Sequence, residues 1–107
     1  MKPRRVVNGD QHDATNPCLL TLQSKGFKLS LVFTGTPLEA EYTAEKDGNR
    51  FTAGNEVELL GLVTMWEARG PDWHTQDNEL HLYEVLFCDS YIREADGRIV
   101  ENPWRWL

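Results

Sequence analysis

At 107 residues, with 40% hydrophobic and 10% aromatic side chains, the chain has the length of a single domain and enough apolar mass to close a core. That aromatic content excludes an intrinsically disordered chain, and no apolar run approaches the roughly 20 residues that span a bilayer as a helix. The formal net charge is −6, and because Lys2, Arg4 and Arg5 crowd the extreme N-terminus, the remainder is more acidic still. A body of that sign repels a phosphate backbone, so a nucleic-acid partner is disfavoured and a basic protein partner suits it better.

Residues 1–16 are polar, contain Asn8-Gly9-Asp10 and lack periodicity; they read as a flexible arm ahead of a single α+β domain over 17–107. Met1-Lys2-Pro3-Arg4-Arg5 leads into Val6-Val7-Asn8-Gly9-Asp10 rather than into an apolar stretch, which gives a cytoplasmic location as the expectation. Over 18–24, Leu20 and Leu22 alternate with Leu19, Thr21 and Gln23, a pattern read as a first strand turning at Lys25-Gly26. Residues 27–34 alternate cleanly, with Phe27, Leu29, Leu31 and Phe33 on one face and Lys28, Ser30, Val32 and Thr34 on the other. After the break at Gly35-Thr36-Pro37, Leu38, Ala40, Tyr42 and Ala44 alternate with Glu39, Glu41, Thr43 and Glu45. Asp47-Gly48 and Gly48-Asn49 are pairs favoured where φ is positive, so a hairpin returns through 50–53. The first half is thus a three- to four-stranded antiparallel meander with one apolar face.

A helix over about 56–69 covers that face. Asn55 is placed to cap it, Glu58 stands three positions on, and Gly70-Pro71 ends it. Leu59, Leu62, Val63 and Trp66 fall at i, i+3, i+4 and i+7, with Glu56, Thr64 and Glu67 assigned to the opposite side. Gly61 in the helix interior costs about 1 kcal/mol against alanine, and a close approach of the backbone to the sheet is the expected reason for it. A second short helix is expected over about 78–88, opened by Asp77-Asn78-Glu79, although Tyr83, Val85 and Phe87 also alternate as a strand would. Ala95-Asp96-Gly97-Arg98 between Tyr91-Ile92 and Ile99-Val100 predicts a small C-terminal hairpin.

Three groups of residues carry the functional reading. Glu39, Glu41 and Glu45 form a carboxylate row on one strand, suited to steering a basic partner. Trp73, Trp104, Arg105 and Trp106 are the residue types enriched among interface anchors. His74, Asp77 and His81 have metal-ligand chemistry and mark an alternative site, near Trp73, in a small metal- or ligand-binding enzyme with Tyr42 and Trp66 in its pocket wall. Against catalysis, the sequence has no nucleophile elbow, phosphate-cradling loop or dinucleotide fingerprint, and no cofactor is implied. Cys18 and Cys88, seventy positions apart, read as core thiols.

Size, acidity and the missing catalytic motifs together resemble the broad class of bacterial immunity proteins and inhibitors that neutralise basic effectors. The resemblance implies a protein-binding role and carries over no individual residue. The expectation is a small acidic protein-binding module, with the enzyme above and a structural subunit or homodimer as alternatives.

Overall fold

The computed structural model describes residues 5–33, 35 and 39–105, with Gln11 described for its backbone alone. The chain is α+β, in the order α1 (Gln11–Ser24), β1 (Lys28–Phe33), β2 (Ala40–Lys46), β3 (Asn49–Ala53), α2 (Glu56–Arg69), α3 (Leu82–Cys88), β4 (Tyr91–Arg93) and β5 (Ile99–Glu101). Its contacts fall into two compact units, Met1–Trp73 and His74–Leu107.

The first unit is a three-stranded antiparallel sheet, β1-β2-β3, with α1 and α2 against it. Its registers set Leu29 opposite Ala44, Leu31 opposite Tyr42 and Ala44 opposite Phe51. Side chains alternate as the period-two pattern predicts, but Leu31 and Phe33 on the apolar face stay exposed and Thr43 on the other face is buried. Phe27, Ala44 and Phe51 meet Leu22 of α1 and Leu59 and Val63 of α2 in the core. An edge-to-face ladder crosses it, with Phe27 and Phe51 centroids 5.9 Å apart and Phe51 and Trp66 5.4 Å apart.

The segment 18–24, expected as a strand, is helical, and α1 already begins at Gln11 within the stretch read as an arm. Asp10 caps the helix, its Oδ1 accepting from the Asp13 N–H at 2.9 Å. Gly26 at φ +92° ends it: the Gly26 N–H donates to Gln23 O and the Phe27 N–H to Leu22 O, the Schellman arrangement. Lys25-Gly26 is therefore a helix exit and not a strand turn. Pro17 stands inside the helix, where a proline removes one hydrogen bond and costs about 3 kcal/mol. Burial of Cys18 and Leu22, one helical turn apart, outweighs it.

Helix α2 matches its expected bounds, with the Glu58 N–H donating to Asn55 Oδ1 at 2.8 Å and the Gly70 N–H to Trp66 O at 2.7 Å. Two details differ. A Cβ built on Gly61 meets no atom within 4 Å, so no close backbone approach demands glycine there. Glu56, placed by periodicity on the outer side, is buried.

In the second unit α3 starts at Leu82, four residues after the expected onset. Residues 76–79 instead form a separate turn, with the Gln76 N–H donating to Glu79 Oε1 at 2.8 Å and the Glu79 N–H to Gln76 O at 3.0 Å. Tyr83 and Phe87, which also fit a strand's alternation, stack one helical turn apart. The hairpin β4-β5 pairs Ile92 with Val100 around a turn closed at Gly97, φ +88°. Asn102 is buried and ties this unit together: its backbone N–H donates to Ser90 O and its Nδ2 to Ser90 Oγ, while its Oδ1 accepts from the Trp104 N–H. No helix among the described residues is long and apolar enough to cross a membrane.

Candidate functional site

Strand β1 is one edge of the sheet and β3 the other, and the two are built from different residues. On β1, Leu31, Val32 and Phe33 are 47%, 46% and 55% exposed. On β3, the exposed positions are Asn49, Arg50 and Thr52, and its apolar Phe51 is buried. Edge strands of monomeric domains are usually guarded by charge or polarity, because their unpaired N–H and C=O groups template pairing with another chain. Here β3 is polar at its exposed positions, whereas β1 carries its one charge, Lys28, at its start and is apolar from Leu31 to Phe33.

The floor beside β1 continues the apolar character. An open cleft of about 280 Å³ is walled by Leu19 of α1, by Leu29, Ser30, Leu31, Tyr42 and Thr43 of the sheet, and by Leu59 of α2. Local sequence explains the opening. The small Ala44 lies opposite Leu29 and leaves space beside it. The Ser30 and Thr43 hydroxyls bond to each other, pinning β1 to β2 at mid-strand.

Tyr42 has a polar partner. Its hydroxyl is hydrogen-bonded to Glu56, and that bond, with burial and the carboxylate's charge, holds its pKa above the ordinary 10.0. Glu56 sits in the first turn of α2, where the helix dipole favours a negative charge, which accounts for a buried carboxylate at that position. Periodicity alone could not find this pair, since it depends on which strand α2 crosses.

The residues singled out from sequence are dispersed. Glu39 and Glu41 are exposed. Glu45 is ion-paired to Arg50 across the strands, Oε1 to Nη2 at 2.7 Å, so the carboxylate row is partly neutralised within the fold. Trp73 is half-buried in the first unit, where it shares a depression of about 400 Å³ with Trp66, Phe51 and Pro71, and its carbonyl accepts from Arg69 Nε. Tyr42, grouped with Trp66 and Trp73 from sequence, lines the β1 cleft instead. Trp104 in the second unit is 59% exposed. Arg105 is engaged by Glu101 at 2.6 Å and donates to Asn102 O at 2.8 Å, so its charge is already matched. Trp106 and Leu38 lie outside the described residues.

Among the described residues no three His, Cys, Asp or Glu side chains gather into a set able to hold a metal ion, so His74, Asp77 and His81 do not converge as a three-ligand site. Both cysteines are free; Cys18 is buried as expected, whereas Cys88 is exposed and is not a core thiol. The chain matches no protein-family model, no curated protein and no solved structure.

Proposed function

We propose that this protein is a binding module, acting in the cytoplasm, that engages another polypeptide along the β1 edge by main-chain pairing and by side chains seated in the adjoining cleft. The observation that carries the reading is an unguarded apolar edge at Leu31, Val32 and Phe33 on a sheet whose other edge is polar. Adding a strand at such an edge satisfies its open N–H and C=O groups, while alternate side chains of the incoming strand settle into the cleft. Glu39 and Glu41, exposed beside the Phe33 end of the edge, favour a partner that is basic there. This moves the contact away from the tryptophan residues and keeps only part of the carboxylate row.

A photo-crosslinking residue at Phe33, compared with one at Arg98 in the hairpin turn, tests the proposal. In cytoplasmic extract of the source cells, position 33 is expected to trap a polypeptide and position 98 is not. Equal trapping at both positions, or none at 33, would defeat it.

A further inference from the structure

The occupant of the β1 edge can be argued from the edge itself, on the reading that this edge is the binding surface. We infer that it is a second copy of this chain, with β1 paired antiparallel to β1 of its partner about a two-fold axis normal to the sheet.

Register is the first support. Such an axis keeps each face of the sheet on its own side, so residues of like parity meet. Centred on Leu31, it sets Leu31 against itself and Leu29 against Phe33 on the cleft face, with Ser30 against Val32 on the other. The strand Lys28–Phe33 therefore reads the same apolar pattern in both directions on the cleft face. Cross-strand aliphatic–aromatic pairs of this kind stabilise antiparallel strands.

Charge is the second. The start of β1 carries the exposed Lys28, while its far end lies beside the exposed Glu39 and Glu41. Lys28 and Glu41 stand on the same face, as their registers with Glu45 and Val32 show. A gradient from basic to acidic along an edge is complementary to its own reverse. Antiparallel pairing brings Lys28 of each copy level with the acidic end of the other, about two strand spacings (roughly 10 Å) from β2 and within reach of the two side chains.

Closure is the third. An isologous contact uses both apolar edges and leaves only the polar β3 edges outside, so the assembly stops at a six-stranded sheet of two copies.

Sedimentation or light scattering of the full chain over a concentration series is expected to show a monomer–dimer equilibrium with nothing larger. Lys28→Glu and Glu41→Lys, both at exposed positions, are each expected to weaken the dimer at least tenfold, and the double charge swap to restore it. The crosslinker at Phe33 in purified protein is expected to give an adduct of twice the chain mass. A monomer at every concentration, growth beyond two copies, or a double swap as weak as the single variants would each overturn the inference. An adduct formed only with a different polypeptide would overturn the second copy while leaving the binding reading intact; no adduct of either kind would remove both.

Discussion

Tyr42 and Glu56 show how one contact decides the behaviour of two side chains. The phenol is held protonated by a buried carboxylate, so its folded pKa lies above the unfolded value near 10. The sign follows from linkage: this contribution to stability is fully present below pH 10 and is lost as pH climbs through the raised folded value, because the unfolded chain releases the proton first. Tyr42→Phe is therefore expected to flatten the decline of stability on the alkaline side. Near neutrality the same change strips a donor from buried Glu56 and should cost about 1–3 kcal/mol. Urea melts of both proteins at pH 7 and at steps above pH 10 measure the two effects; parallel pH profiles would rule out the linkage.

Helix α2 illustrates a segment whose bounds are local and whose faces are not. Asn55, Gly70 and Pro71 fix where it starts and stops through hydrogen bonds made within a few residues. Gly61 is half-buried, has no positive φ, and a Cβ there would meet open space. Gly61→Ala is thus expected to stabilise the protein by about 1 kcal/mol, the ordinary difference in helix propensity. Thermal melting reads this directly, and a lower melting temperature would mean that glycine serves a purpose the packing does not show. Helix α1 is the contrary case. Its signals, Asp10 with Asp13 at one end and Gly26-Phe27 at the other, are present in the sequence. The alternation of Leu20 with Leu22 reads as a strand nonetheless, since a short apolar run satisfies strand and helix periods alike.

Across the molecule, stability is unevenly distributed. The first unit buries Leu22, Ala44, Leu59 and Val63 completely, with Phe27 and Phe51 close behind. Among the described residues the second unit buries only Asn102, and α3 leaves Leu82, Tyr83 and Leu86 exposed. Local opening requires less free energy where fewer apolar contacts must be broken. Hydrogen exchange followed by mass spectrometry is expected to show peptides over 40–46 and 56–69 protected far longer than 82–88. Comparable protection in all three would mean that α3 is held by more than its own unit supplies.

The α+β class, the alternating faces of β1 and β2, the hairpin at Asp47-Gly48 and the bounds of α2 were legible in the chain because each rests on period, turn chemistry or capping over a few neighbouring positions. The exposed Glu39 and Glu41 followed from the same alternation. Folding in three dimensions settled the rest. Whether Leu31, Val32 and Phe33 lie at an edge or between strands depends on strand order, and whether Glu56 is solvated depends on where α2 crosses Tyr42. Both are relations between residues far apart in sequence, and a local pattern carries no record of which distant segment will pack against it.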